Sequence, residues 1–392
     1  MSNQPAVIGP DGVARPYIGG QALIEGVMMR SPHSFAAVVR RRNGALVVRE
    51  RQMPDVRQGR AAWPLVRGVV GLVEALKLGS ASLRFSAEIF ESDLEEADRE
   101  AKGGSDKAGK GPSALAALSL PIVALLTQEP EPYRSPSPPP VPPEEPKGEG
   151  LRKLFTALSI VFALGLFVAL PQAFAAGING VFRLGLDVRE PLFQVFTGAA
   201  KLSIVIGYML LIRRLPEIYR VFQYHGAEHK SIYAYESGEE LSVENARSKT
   251  TLHPRCGTTF LVMVALVSIF VFAAIGPFLP RIGTGGAVLD NVLFFLMKLP
   301  FLPVIAAITF ELQRLLARHA KGPLRLLLWP GFLVQKITTI EPSDDQLEVA
   351  LAALRVTLRR EDRARKGEPP ELADDETFAG FEALRARTRV AA

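Results

Sequence analysis

Four long apolar runs in the second half of the chain constrain its fold more than any other feature. They lie at about 154–175, 192–212, 258–275 and 292–310, and each approaches the ~20 residues that a helix needs to cross a hydrocarbon core. The chain is 48% hydrophobic and 22% charged, a composition that suits a membrane protein. The sequence therefore predicts a mainly α, polytopic membrane protein with four transmembrane helices and the lipid bilayer as its first partner.

The distribution of basic residues predicts the orientation of these helices. The segment 213–256 contains seven Lys and Arg residues, whereas 176–191 contains two and 276–291 contains one. Loops rich in Lys and Arg remain in the cytoplasm, so this segment and both termini are expected on the cytoplasmic side of the membrane. The N-terminal residues lack a charged region followed by an apolar core, so no cleavable signal is expected.

The net charge of +6 and the isoelectric point near 9.4 raise the question of a nucleic-acid partner. The basic residues flank the apolar runs and do not interleave with aromatic residues in one patch. They therefore indicate membrane topology, and no nucleic-acid partner is expected.

Outside the apolar runs, the chain divides into units of different composition. The pair Asn43-Gly44 between two β-branched runs favours a type I′ hairpin, and Ser343 with Gln346 forms a capping box before a helical apolar stripe. The charged tail from Arg359 is expected to fray. The predicted organisation is a β unit with an interfacial helix at 17–90, an acidic to proline-rich linker at 91–150 with an apolar interfacial segment at 113–126, a membrane domain at 151–340 with a cytoplasmic loop at 213–257, and a C-terminal helix and tail at 341–392.

The sequence Tyr-His-Gly-Ala-Glu-His-Lys at 224–230 is the clearest candidate for chemistry. On a helix, His225 and His229 project from one face about a turn apart, and Glu228 lies beside the second histidine. This is the HxxEH order of the inverted zincins. In that order two imidazoles bind Zn²⁺, the metal lowers the pKa of a bound water, and the carboxylate accepts its proton.

A zinc site of this kind needs at least one further ligand, and the chain offers several. His253 and Cys256, the only cysteine, would complete a closed four-ligand structural site, whereas a single further ligand would leave a position for water. Glu311, at the cytoplasmic end of the fourth apolar run, is a candidate third ligand or general base. The plainer alternatives are a Glu311–Arg314 surface ion pair and a polar helix with hydrogen-bonded histidines.

Four stretches together resemble the YqhQ-like bacterial membrane proteins, a family of unknown function described as predicted metal-dependent enzymes. They are GGQALIEGVMMR at 19–30, YHGAEHKSIYAYESGEELSVENAR at 224–247, HPRCGTTF at 253–260 and TTIEPSDDQLEVALAAL at 338–354. The resemblance implies a location in the bacterial inner membrane and metal dependence for the histidines, Glu228 and Cys256. It also makes Glu25 and Glu341 site candidates, although Glu25 alone would be interpreted as an exposed edge-strand carboxylate.

These observations lead to one main functional hypothesis and two alternatives. The main hypothesis is a zinc-dependent, hydrolase-like membrane enzyme with Glu228 as base, acting on a membrane protein or a lipid at the cytoplasmic face. The first alternative is a non-catalytic, metal-stapled scaffold or partner-binding protein. The second is a transporter, a homo-oligomer with Lys201 and Lys298 along its pathway, although no internal repeat supports it.

Overall fold

The computed structural model describes residues 6–53, 59–101, 158, 161–162, 165–280, 287–319, 326–368 and 375–388. The apolar segment 113–126 and most of the 91–150 linker lie outside these residues. The described elements form two parts, a β-sheet covered by helices and a group of long apolar helices.

The main sheet is antiparallel, and its five strands lie in chain order. The first four come from the N-terminal region, and the last comes from the C-terminal region. The predicted hairpin around Asn43-Gly44 is confirmed. Gly44 has a φ of 86° and Asn43 is not at positive φ, so the loop is a type I turn followed by a glycine bulge and not a type I′ turn. The strands are β1 (Ala6–Ile8) and β2 (Ala14–Pro16), which pair separately, and β3 (Gly19–Leu23), β4 (Gly26–Arg30), β5 (Ser34–Arg40), β6 (Leu46–Gln52) and β7 (Glu376–Phe378).

Both faces of this sheet are buried, because alternate residues of each strand face different helices. In β5, Phe35, Ala37 and Val39 pack with Phe85 of α1 (Val66–Ala101), whereas Ala36 and Val38 belong to the second core cluster. That second cluster is built on α10 (Asp344–Arg365) and α4 (Pro216–Glu236). The sheet is therefore the middle layer of the sheet-bearing part.

Helices α1 and α10 are longer than the sequence predicts. The apolar face expected on α10 is confirmed, with Leu347, Leu351 and Leu354 fully buried, and the Ser343 N–H donates to Gln346 Oε1 at 2.9 Å as the capping box requires. The expected fraying from Arg359 is wrong, because α10 continues to Arg365. Arg360 and Glu361 are buried there by partners on the sheet.

Within the described residues, three helical segments are long and apolar enough to cross a membrane, at Pro191–Ile212, Gly257–Phe278 and Val292–Leu316. The first predicted span lies only partly in the described residues, where a π-helical turn at Gly165–Ala169 leads into a shorter apolar helix. The helices of this part are α2 (Leu170–Val181), α3 (Pro191–Ile212), α6 (Gly257–Ile275), α7 (Ala287–Lys298), α8 (Leu302–His319) and α9 (Trp329–Thr338); the short α5 (Val243–Arg247) and α11 (Phe381–Arg387) lie in the sheet-bearing part.

Helix α4 connects the two parts, since it starts directly after α3 and packs on β3 and α10. Its closest approach is at Gly226, where a Cβ atom would lie 2.1 Å from the Ile340 carbonyl oxygen. The Ile340 N–H donates to the Phe222 carbonyl at 3.0 Å beside this contact. Glycine at 226 therefore allows the segment after α9 to lie against the helix that carries the HxxEH sequence.

Candidate metal centre

The second half of α4 is buried although it is polar. Glu228 is 5% exposed, His229 1% and Lys230 3%. Charged residues are rarely buried to this extent unless they are paired or bind an ion. The partners of each side chain therefore decide what this face of the helix does.

His225 and His229 are both held through Nδ1 by backbone carbonyls. His225 Nδ1 lies 2.8 Å from the Thr338 carbonyl oxygen, and His229 Nδ1 contacts the Thr251 carbonyl oxygen. A carbonyl oxygen only accepts, so each Nδ1 carries a proton and each ring presents its Nε2 atom as the potential ligand. Burial and the neighbouring His225 lower the pKa of His229, which keeps its ring neutral. This is the arrangement by which outer groups orient metal-binding histidines.

Cys256 completes a compact group of three potential ligands. It precedes α6, and its Sγ lies 3.1 Å from His225 Nε2. One ligand atom each from His225, His229 and Cys256 lie within 4.8 Å of one another. A thiolate with two imidazoles is a donor set that suits zinc.

Glu228 lies beside this group and has no Lys or Arg partner among the described residues. Its Oε2 is 3.9 Å from His225 Nε2, and its carboxylate accepts a hydrogen bond from the Gly20 N–H. Burial raises the pKa of Glu228, and the nearby His225 and His253 only partly oppose this effect. The surroundings of Glu228 therefore favour its protonated form more than water does.

Gly20 is required for this placement. A Cβ atom at Gly20 would lie 2.8 Å from Glu228 Cγ and from Glu228 Oε1. The Gly19-Gly20 pair in the sequence was a signal of a close approach, but nothing in the sequence indicated which residue approaches.

His253 lies next to the three potential ligands but outside their group. Its ring centroid is 5.6 Å from that of His229, and its Nε2 lies 3.6 Å from Glu236 Oε2. In the described part of the chain this buried Nε2 has no hydrogen-bond partner. Burial lowers the pKa of His253 to about 4, so the ring is neutral. Gln335 fixes its backbone, accepting from the His253 N–H at 2.8 Å and donating to the His253 carbonyl at 2.7 Å.

The three candidate carboxylates outside the 213–257 loop do not belong to the group of His225, His229 and Cys256. Each of the three is paired with a Lys or Arg side chain. Glu25, at φ 51° in the tight turn between β3 and β4, pairs with Arg220 at 2.5 Å. Glu341 pairs with Lys230 of α4.

Glu311 pairs with Arg67 of α1, with two hydrogen bonds of 2.5 and 2.6 Å. Its local geometry is that of an ion pair that ties α1 to α8.

Sequence reasoning missed the groups that orient the ligands. The carbonyls of Thr251 and Thr338 and the amide of Gln335 hold the histidines in place. Carbonyl oxygens leave no trace in a sequence because every residue has one. Thr338 lies in the last turn of α9, where carbonyl oxygens lack helical hydrogen-bond partners. The end of this apolar helix was therefore the only sequence signal for the carbonyl that orients His225.

Comparisons with known proteins give a family but no activity. Residues 63–360 match the family model described as "Protein of unknown function (DUF1385)". The chain is 29% identical over 361 residues to "Uncharacterized protein YqhQ" of Bacillus subtilis, covering 91% of this chain and 96% of that protein. No solved structure matches the chain. These descriptions do not support the label of metal-dependent enzyme that the resemblance implied.

Proposed function

We propose that this chain, which belongs to the DUF1385 family of proteins of unknown function, is a zinc-dependent membrane hydrolase with its site at the cytoplasmic face of the bacterial inner membrane. The observation that carries the proposal is the orientation of two imidazoles. Both Nδ1 atoms are bound to carbonyls, and both Nε2 atoms are within a group that includes Cys256 Sγ. In a polar helix whose histidines only form hydrogen bonds, the two rings are not expected to point towards the same thiol.

The number of ligands supports a catalytic rather than a structural site. Three protein ligands leave the fourth position of a tetrahedral zinc site to water, whereas structural sites use four. Zinc held there would lower the pKa of a coordinated water to about 7. Glu228 is the carboxylate nearest to the ligands, and its raised pKa suits a group that accepts and returns a proton.

The packing of the sheet supports four spans with both termini on the cytoplasmic side. The sheet combines N-terminal strands with β7, and α4 packs on the same sheet. These three regions of the chain must therefore lie on one side of the membrane. Because α3 crosses once before α4, a further crossing must precede α3, and the apolar segment ending at Val181 is the candidate. The excess of basic residues in 213–256 assigns this side to the cytoplasm.

The site lies where α3 and α6 meet this cytoplasmic part, so its substrate would be presented at the membrane surface. We place the substrate among peptide bonds of membrane proteins or lipid-linked esters, the two classes reachable there. The chemistry that these residues support is the same for both, since Glu228 would act on water and not on a particular leaving group.

Metal content measured by elemental mass spectrometry on detergent-purified protein tests the proposal. Wild type, Glu228→Gln and the control His33→Ala, which removes a histidine in the turn between β4 and β5 and outside the three-residue group, should each hold about one zinc per chain. His225→Ala and His229→Ala should hold less than about a tenth of that amount, and Cys256→Ser an intermediate amount. Zinc-free wild type, or full zinc in His225→Ala, would overturn the proposal.

Activity then separates an enzyme from a metal-stapled scaffold. In a hydrolysis screen with detergent-solubilised peptides and lipid esters, Glu228→Gln should lose about 10²- to 10⁴-fold in rate while it keeps its zinc. Equal rates in Glu228→Gln and wild type would favour the scaffold.

A second candidate function is thiol chemistry, favoured by one contact. Cys256 Sγ lies 3.1 Å from His225 Nε2, and the Thr258 N–H at the start of α6 donates to the same sulfur at 3.4 Å. A cysteine beside a histidine base is also the arrangement of a covalent nucleophile. Alkylation by iodoacetamide distinguishes the two: zinc should protect Cys256 strongly if it is a ligand, and should not affect its alkylation if it is a free nucleophile.

A further inference from the structure

Two clefts lie side by side where the membrane helix α3 meets the cytoplasmic part. The larger, about 700 Å³, is lined by Leu210, Arg213, Arg214, Pro216, Tyr219 and Arg220. The smaller, about 390 Å³, is lined by Leu252, Trp329, Phe332, Leu333 and Lys336. Arg213 Nη1 donates to the Lys336 carbonyl at 3.3 Å, so the two clefts meet at these residues.

The charge of this region is positive and largely uncompensated. Arg220 is paired with Glu25, whereas the one polar contact of the Arg213 side chain among the described residues is with the Lys336 carbonyl. Arg214 and Lys336 form no ion pair within the described residues. Glu217 in the first turn of α4 is exposed and does not line either cleft.

The surroundings of these cations are apolar and exposed. Leu210 and Leu211 at the end of α3 are 47% and 65% exposed, and Trp329 and Leu333 on α9 are 53% and 50% exposed. Exposed apolar side chains at the end of a spanning helix contact lipid tails. Tryptophan and basic residues at that level are typical of the headgroup region.

We propose that the two clefts form one binding site for an anionic phospholipid. The headgroup phosphate is bound by Arg213, Arg214 and Lys336, and an acyl chain lies against Trp329 and Leu333. Guanidinium groups bind phosphate through paired N–H donors, and basic pockets between membrane helices on the cytoplasmic side suit such headgroups. The site is independent of the metal, although Lys336 lies two residues before Thr338, whose carbonyl orients His225.

Quenching of Trp329 fluorescence measures this binding directly, because the chain has only two tryptophans. In the Trp63→Phe protein, reconstituted in phosphatidylcholine vesicles, brominated phosphatidylglycerol should quench Trp329 at several-fold lower mole fraction than brominated phosphatidylcholine. Equal quenching by the two lipids would overturn the proposal.

Charge variants separate a built site from general surface attraction. Arg213→Gln/Arg214→Gln/Lys336→Gln in this background should abolish the preference, and the milder Arg214→Gln, at an exposed and unpaired side chain, should reduce it about two- to fivefold, as ~1 kcal/mol per basic residue implies. The control Arg42→Gln/Arg183→Gln/Arg385→Gln removes the same charge elsewhere and should keep it. The site would be contradicted if the preference for phosphatidylglycerol remained in Arg213→Gln/Arg214→Gln/Lys336→Gln, or if the control triple variant also lost it.

Two further experiments identify the ligand and test whether the lipid preference depends on the metal. Millimolar glycerol 3-phosphate should leave the lipid preference unchanged, since the acyl chain contributes to binding; its loss would mean a site for soluble phosphate esters instead. Chelator-treated and zinc-loaded proteins should show the same preference, so a failure of the metal proposal does not affect this test. A preference found only in zinc-loaded protein would overturn an independent site.

Discussion

Glu228 and Glu361 are both buried carboxylates on helices that cover the sheet, and their surroundings are opposite. Glu361 is 1% exposed and accepts hydrogen bonds from Ser31 Oγ at 2.6 Å, the His33 N–H at 2.9 Å and His33 Nδ1 at 3.0 Å. Within the described part of the chain, Glu228 accepts a hydrogen bond from the Gly20 N–H and faces the imidazole of His225.

The pKa shifts of the two groups follow from these partners. Burial raises the pKa of both groups. At Glu361 the hydrogen bonds from Ser31 and His33 outweigh burial and leave the pKa lowered, whereas at Glu228 burial prevails. Burial alone therefore does not mark a functional carboxylate. Glu361 is a fixed anion that joins α10 to the turn between β4 and β5, and Glu228 is free to change its protonation state.

The largest effect is expected from removing the charge of Glu361. Glu361→Gln should lower the free energy of unfolding by about 3 kcal/mol, because the amide NH2 that replaces one carboxylate oxygen cannot accept and leaves a buried donor of Ser31 or His33 unsatisfied. Chemical unfolding in detergent measures this loss. The adjacent control Asp362→Asn breaks only an exposed pair with Lys366 and should change stability by less than about 0.5 kcal/mol. Equal effects of the two substitutions would contradict the role of Glu361.

The pH dependence of the Glu361 effect has a definite sign. Its folded pKa lies below the ordinary value of 4.5, so its stabilisation is present above that pH and is lost as the pH falls through the folded pKa. The stability difference between wild type and Glu361→Gln should therefore shrink in acid. A difference that grows as the pH falls would show that the carboxylate is not bound as an anion.

An intermediate effect is expected at Gly20. Gly20→Ala should lower the free energy of unfolding by about 2 kcal/mol, because the new Cβ overlaps the Glu228 side chain and the Met28 carbonyl. It should also impair any Glu228-dependent activity. The control Gly19→Ala places its Cβ 3.6 Å from Tyr17, an ordinary contact, and should be nearly neutral. If both substitutions behave alike, Gly20 does not position Glu228.

The smallest effect, and one of opposite sign, is expected from Glu228→Gln in chelator-treated protein. At neutral pH it should raise the free energy of unfolding by on the order of 1 kcal/mol, because it removes a buried, unpaired charge. The folded pKa of Glu228 is raised above 4.5, so wild type is penalised only as the pH rises beyond that value. The advantage of the variant should grow from about pH 4.5 upward and then level off. A destabilised variant at pH 7 would mean that Glu228 has a cation partner.

The local pattern of the site was predictable from the sequence, and its wider partners were not. Helical spacing brought His225, Glu228 and His229 to one face, and the short loop before α6 brought in Cys256. Glu25 and Glu311 could not be assigned, because Arg220 and Arg67 are distant in sequence and reach them only through the fold.

The same limitation applies to the fold. The strands, the hairpin and the apolar face of α10 follow from local periodicity and turn residues. The addition of β7 to the sheet and the burial of Arg360 and Glu361 do not, since both depend on long-range packing. A highly charged helix end remains ordered here because Glu50 of β6 and Ser31 and His33 of the turn between β4 and β5 supply its partners.

X-ray absorption spectroscopy at the zinc edge tests the central claim most directly, because it counts the ligands of the bound ion. The account predicts one sulfur at about 2.3 Å, two imidazole nitrogens at about 2.0–2.1 Å and one light atom from solvent. The sulfur contribution should disappear in Cys256→Ser. A spectrum with no sulfur, or with three imidazoles and one sulfur, would contradict the open three-ligand site; the second result would bring His253 into a closed structural one.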